Sequence, residues 1–246
     1  MSFSLVRSRH ELGNLVFFED GFEERWVDAI GPNVIKFVDD FSACLYDTAW
    51  ESTVVEAGTG DSLIVPYDSE GGVALFSPAE NDNDAIQIQS SNEGFKLTDN
   101  DPCYFGARFA VIGPTAAGSY EVFIGLSNKD TTLVTGGSSC AGFIVTAASA
   151  QCGFFNSKAD SGTTQVMTTS LTVGVFHIAE FYWDGTSKLY TWWDGTAKGT
   201  ATTQIPTAQT MAVSISVTNN GTDHLTTHTN GLAVDYVRAI QLLASR

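Results

Sequence analysis

Residues 176–196, FHIAEFYWDGTSKLYTWWDGT, carry the tetrapeptide WDGT twice, ten residues apart. Asp-Gly between two β-forming runs signals a hairpin, because both central residues of a type I′ turn need positive φ, which glycine adopts freely and aspartate tolerates. Asp184-Gly185 and Asp194-Gly195 fit that role. The runs VFHIAEFYW, KLYTWW and AKGTATTQI then become three successive antiparallel strands, and ten residues is one strand plus one turn. A propeller would need WD pairs about every forty residues. Carboxylates at the tips of successive hairpins point from opposite ends of a sheet, so the repeat is not a shared metal site.

The same grammar extends outward. From about residue 50 onward, short β-branched and aromatic runs alternate with Gly, Asn, Asp, Ser and Thr clusters, and helical periodicity is almost absent. The candidate strands are STVVEA, SLIVPY, GVALFS, AIQIQS, CYFGARFAVI, YEVFIGLS, AGFIVTA, CGFFNS, QVMTTS, VFHIAEFYW, KLYTWW, TATTQI, MAVSISVTN and LAVDYVRAIQLL. So many short segments predict an all-β, two-sheet antiparallel sandwich with six or seven strands per sheet. In MAVSISVTN, Met211, Val213, Ile215 and Val217 form a packed face and Ala212, Ser214, Ser216 and Thr218 a wet one. The parity of LAVDYVRAIQLL is less clean, as a last strand crossing from core to rim would be.

Residues 1–36 differ. VFFEDGFEERWVDAIGPNVIKFVDD mixes aromatics with acids and shows no repeating strand length, so residues 1–36 read as an N-terminal arm and 37–246 as the sandwich. Phe17, Phe18, Phe22 and Trp26 are too many large apolar groups for a disordered tail. They pack on the sandwich or on another subunit.

Charge excludes several partners. The 246-residue chain has 12 Lys and Arg against 28 Asp and Glu, a formal charge of −16, so a phosphate backbone or an anionic membrane is repelled over most of the surface. No stretch is long and apolar enough to span a bilayer. The N-terminus has no apolar run of signal-peptide length, so a cytoplasmic chain with reduced cysteines is expected. Cys44, Cys103, Cys140 and Cys152 form no CxxC pair. Cys140 and Cys152 bracket AGFIVTAASAQ and are the pair that a hairpin would bring face to face.

Chemistry-bearing motifs are sparse. HLTTH, with His224 and His228, lies in a turn-rich connection without the Glu of a metalloprotease. ENDNDAIQ and LTDNDP offer the oxygen ligands calcium requires, but turn capping by Asn and Asp is the simpler use. GGSSCAGF is neither a nucleophile elbow nor a phosphate loop. No ExDxE occurs, and Glu180 stands isolated in its strand, so paired-carboxylate glycoside hydrolysis is disfavoured. No catalytic or metal-binding residue is assigned, and no enzyme is expected. Trp183, Trp192 and Trp193 either stack on a sugar or pack; adjacent Trp192 and Trp193 point to opposite faces, so at most one is expected in the core.

FHIAEFYWDGTSKLYTWWDGTAKGTATTQIPTAQTMAVSISVTNN followed by LAVDYVRAIQL resembles the concanavalin A-like or laminin-G-like jelly-roll family. More narrowly, with DDFSACLYDTAWESTVVEAGTGDS, GGVALFSPAENDNDAIQIQ and DPCYFGARFAV as early strands, residues 37–243 resemble structural proteins of tailed phages, including head decoration proteins. That resemblance implies a virion protein assembled in the host cytoplasm and placed on the capsid surface as a decoration or cement subunit. Its partners would be the major capsid protein and further copies of itself, and the docking residues would be Arg7, Arg9, Phe17, Phe18, Phe22 and Trp26. The alternative is a lectin-like carbohydrate-binding module of a fibre or tail, using the three tryptophans and a loop calcium for a glycan.

Overall fold

The computed structural model describes residues 5–42, 49–57, 60–68, 72–113, 120–130, 139–146, 151–220 and 229–245, the side chains of Asp68 and of residues 163–168 excepted. The strands in chain order are β1 (Val6–Glu11), β2 (Asn14–Glu19), β3 (Phe22–Ile30), β4 (Val34–Asp39), β5 (Trp50–Val55), β6 (Leu63–Asp68), β7 (Val73–Ser77), β8 (Ala85–Ser90) and β9 (Cys103–Ile112). They continue as β10 (Tyr120–Ser127), β11 (Cys140–Val145), β12 (Gln151–Lys158), β13 (Ser161–Ser170), β14 (His177–Trp183), β15 (Leu189–Trp193), β16 (Thr196–Ala201), β17 (Ala212–Asn219) and β18 (Gly231–Leu242). All pairings are antiparallel.

The predicted two-sheet sandwich is present. One sheet has seven strands in the order β13-β12-β11-β10-β17-β8-β5; the other has eight, in the order β16-β15-β14-β9-β18-β7-β6, with β4 paired to β18. The core between them is aromatic: Phe105 stacks on Phe181 with centroids 5.2 Å apart, and Phe154 meets Phe181 edge-on at 5.5 Å. Buried aromatics supply large apolar area, and their offset and edge-on pairings add to it.

The two WDGT turns differ. Asp194 (φ 49°) and Gly195 (φ 75°) form the expected two-residue turn between β15 and β16. The first is a five-residue loop in which the Asp184 Oδ1 accepts the backbone N–H of Thr186, Ser187 and Lys188 at 2.8, 2.8 and 3.0 Å. A carboxylate that gathers three consecutive donors holds a wider bend than a type I′ turn allows. Asp184→Ala is therefore expected to cost about 1–2 kcal/mol, the range for losing a capping side chain. Urea unfolding checks it, and an unchanged midpoint would contradict the role.

Two parity readings need correction. Ala212, Ser214 and Ser216 are buried, not wet, because the segment after β10 lies over that face: Gln87 Nε2 donates to the Asp130 carbonyl at 2.9 Å and the Asp130 N–H to Gln89 Oε1 at 3.1 Å. In β18 the broken alternation is a β-bulge between Val234 and Tyr236, not a crossing to the rim. The extra residue switches the faces: Leu232, Val234, Val237 and Ala239 all reach the main core. Strand β16 also starts earlier than TATTQI, at Thr196.

Candidate functional site at the N-terminal sheet

The N-terminal extension is itself folded and packs on the sandwich. β1, β2 and β3 make a three-stranded sheet, while β4, from Val34 onward, already belongs to the sandwich. The local causes are visible. Leu12 (φ 49°) and Gly13 (φ 77°) close a two-residue hairpin, Asp20-Gly21 closes the next with Gly21 at φ 84°, and β2 alternates strictly between buried and half-buried residues.

The sheet is seated on the outer face of the eight-stranded sheet. Val16, Phe18, Trp26 and Ala29 pack against Tyr104, Tyr182, Trp192, Ile240 and Leu242, with the Trp26 and Tyr182 rings edge-on at 5.3 Å. Burying each such large side chain contributes about 1.5–3 kcal/mol. The bulge in β18 is what turns Ile240 and Leu242 toward this second core.

Beside the apolar seat lies a buried ion network. Arg25 donates from Nε and Nη2 to Glu180 Oε2 at 2.8 and 2.7 Å, the Tyr104 hydroxyl donates to Glu180 Oε1 at 2.6 Å, and Arg25 Nη1 also pairs with Glu19. The Glu180 side chain is 3% exposed. Gly106 makes room for this arrangement, since a Cβ there would stand 2.5 Å from the Tyr104 hydroxyl. Burial, and then the Glu180 charge, push the Tyr104 phenol well above its ordinary value. For Arg25, burial works toward a lower pKa, but Glu180 and Glu19 together raise it.

The residues singled out in the sequence scatter between two roles. Phe18 and Trp26 face inward at 6% and 1% exposure, while Phe17 is half-buried and Phe22 exposed under the Arg25 guanidinium. Arg7 pairs with Asp20 at 2.6 Å, and Arg9 with Glu11 and Glu23 at 2.7 Å while lying over the Phe18 ring. Trp183, Trp192 and Trp193 are all buried, so none offers an open ring face. Trp192 and Trp193 do point to opposite faces, but the N-terminal sheet covers the second, so both pack. The residues that reasoning from sequence missed are Arg25, Tyr104 and Arg238. The signal available was the Asp20-Gly21 hairpin with the alternation of NLVFFE, which marks a folded sheet needing a seat.

The opposite surface of the sandwich, the outer face of the seven-stranded sheet, is amide and hydroxyl in its middle. Gln89 Nε2 donates to Ser127 and Ser214 Oγ at 3.1 and 2.9 Å, and those two hydroxyls lie 2.8 Å apart. Gln87 Oε1 and Ser216 Oγ are buried there without a partner.

Other candidate sites resolve into structural uses. Asp84 in ENDNDAIQ accepts from the Ala57 and Asn81 N–H groups at 2.6 and 2.9 Å, and Asp101 in LTDNDP accepts from Ala244 N–H at 2.7 Å. Among the described residues no group of three or more His, Cys, Asp or Glu gathers to hold a metal, and no helix is long and apolar enough to cross a membrane. His224, His228, Cys44 and the start of GGSSCAGF lie outside the described residues. Cys140 and Cys152 do not face each other: Cys140 pairs with Ser157 and Cys152 with Val145, at opposite ends of the β11–β12 ladder. Both are free thiols, as is Cys103, and burial pushes the Cys140 thiol up to about 12.

No family model and no curated protein matches the sequence. Solved structures do match the fold. The chain is similar to the endo-1,3-β-glucanase of Streptomyces sioyaensis (16% identity, 88% of this chain and 99% of that one, TM-score 0.58). It is similar also to the protein of unknown function SO2946 of Shewanella oneidensis MR-1 (15%, 88% and 90%, TM-score 0.57). The metal-free carbohydrate recognition domain of Emp46p matches at 9% identity over 82% of this chain and 94% of that one, with TM-score 0.53. At such identities the likeness is one of fold. The chain is thus an all-β protein with the concanavalin A-like jelly-roll sandwich shared by lectins and glucanases, carrying an added three-stranded N-terminal sheet.

Proposed function

We propose that this chain is a structural protein of a tailed-phage particle, a decoration or cement subunit that docks on the major capsid protein through the outer side of its N-terminal sheet. One observation carries the reading. Of the twelve exposed large apolar side chains among the described residues, six (Leu5, Val6, Leu12, Phe22, Val27 and Ile30) belong to this small sheet and its approach. Clustered exposed apolar groups mark protein contacts. Charge does not distinguish this sheet: residues 1–36 hold four basic and six acidic groups, net −2, and the rest of the chain, nearly six times longer, carries −14. The acidic surface keeps particles dispersed in the host cytoplasm.

The action is mechanical, and no catalytic role is proposed. The amides and hydroxyls in the middle of the seven-stranded face are buried under the segment after β10, and the buried carboxylate Glu180 is consumed by Arg25 and Tyr104. Docking in many identical copies, with self-association, bridges coat subunits by buried interface area.

The test is quantitative mass spectrometry of gradient-purified particles from the source that encodes this chain, followed by co-sedimentation of the Phe22→Asp/Ile30→Asp variant with particles lacking the protein. A copy number comparable to that of the coat protein, with binding lost in the variant, is the expected result. Absence from the particle overturns the reading.

A second reading, a lectin-like glycan-binding module, is supported by the sandwich fold shared with the carbohydrate recognition domain of Emp46p. Glycan-array binding with and without a chelator tests it, and silence across the array removes it.

A further inference from the structure

A cavity of about 290 Å³ lies between the N-terminal sheet and the eight-stranded sheet, lined by Glu19, Arg25, Trp26, Glu180, Tyr236 and Arg238 among others. Its charged groups are not equivalent. Glu180 spends both oxygens on Arg25 and Tyr104, and Glu19 pairs with Arg25. Arg238, by contrast, has no carboxylate within ion-pair distance among the described residues. Its Nη1 donates to the Val27 carbonyl at 3.2 Å and its Nη2 reaches the Tyr236 hydroxyl at 3.4 Å, while Nε is buried with no partner.

An unpaired, buried N–H on a charged group is costly and calls for an acceptor. The guanidinium is also held in place, lying 5.8 Å from the Tyr104 ring centroid and 5.0 Å from that of Tyr236. A fixed planar guanidinium with no carboxylate partner suits a planar two-oxygen anion. Tyr236 accepts from Arg238, which leaves its own hydroxyl proton to donate to the same anion. Two carboxylates line the cavity as well, so a monoanion is favoured over a phosphate dianion, and Glu19 is placed to accept from a hydroxyl. The volume lies just below the roughly 300–1,000 Å³ of drug-sized ligand pockets, which limits the occupant to a small molecule or a single residue of a polymer.

We propose that this cavity binds a small hydroxy acid, with Arg238 and Tyr236 holding its carboxylate and Glu19 accepting from a neighbouring hydroxyl. The two sources of that chemistry are a free hydroxy acid and an acidic sugar residue within a polysaccharide. The proposal is independent of capsid docking, and its failure would leave that reading untouched.

The full chain is titrated calorimetrically with sodium galacturonate, sodium lactate, polygalacturonate, glucose and sodium chloride, the salts at matched ionic strength. Saturable binding of the acids, with Kd of about 1 mM or tighter, is expected, and none of glucose or chloride. Arg238→Gln should weaken binding by about tenfold or more, and Tyr236→Phe, which keeps the ring under Arg238, by several-fold. Arg108→Gln, at an arginine paired with Asp235 instead, should leave binding unchanged. Should Arg238→Gln not fold, Tyr236→Phe and Arg238→Lys carry the test. Binding of monomer and polymer supports the proposal and assigns a polysaccharide source; binding of the monomers alone supports it and assigns a free acid. No saturation by about 10 mM acid, equal binding of glucose, or binding unmoved by Arg238→Gln and Tyr236→Phe overturns it.

Discussion

Glu180→Ala is expected to unfold at markedly lower denaturant concentration, with a loss of about 3–5 kcal/mol, the range for removing one partner of a buried ion pair. The reason lies in what is left behind. Arg25 loses its two short bonds to Oε2 and keeps only half-buried Glu19, while the fully buried Tyr104 hydroxyl loses its acceptor. Replacing both charges by apolar groups, Arg25→Met with Glu180→Leu, should regain the part of the loss due to the unpaired charge, while the Tyr104 hydroxyl still lacks its acceptor. Amide exchange adds a spatial check: β2 and β3, held by this network, should open more readily than β10 in the far sheet. A Glu180→Ala loss below about 1 kcal/mol would mean that the pair is solvated and screened, and that apolar contacts alone seat the sheet.

Stability should also fall steeply above pH 10. The Tyr104 and Tyr182 phenols are both pushed up, mainly by burial and then by nearby carboxylates, Glu180 for the first and Glu11 for the second. Above the ordinary phenol value the unfolded chain releases these protons and the folded chain keeps them, so the native state binds more protons and rising pH favours unfolding. Each group contributes up to about 1.4 kcal/mol per pH unit, and the Tyr236 phenol, also raised by burial, adds to the slope. Below about pH 9 neither form titrates appreciably and the effect vanishes. Urea unfolding at intervals from pH 9 to 11 measures the slope, and Tyr182→Phe should lower it by up to about 1.4 kcal/mol per pH unit. A flat profile would show that both hydroxyls ionise in the folded chain as freely as in the unfolded one.

Thirteen of the fourteen strands read from residue 50 onward are found where they were read, and TATTQI overlaps β16 only at Thr200 and Ala201; most spell their own local cause, β-branched or aromatic runs bounded by turn residues. The second WDGT could be assigned to a type I′ turn from two residues, but the first could not, since its shape depends on where a carboxylate finds three N–H groups. Residues 1–36 concealed a sheet for a related reason. Bulges opposite Phe17 and Phe18 break the β2–β3 register, and the charged residues of β3 mask its alternation even though Asp20-Gly21 marks the turn.

Local pattern thus determined the fold class, the strand inventory and most of the turns, all of which rest on contacts within or between neighbouring segments. The candidate site rests on contacts far apart in sequence. Arg25 meets Glu180, Trp26 meets Tyr182, and Trp192 is buried only because a sheet from the other end of the chain lies over it. A polar or aromatic residue on a strand's outer face looks the same in sequence whether water or protein covers it. Only the tertiary structure decided that here the cover is protein.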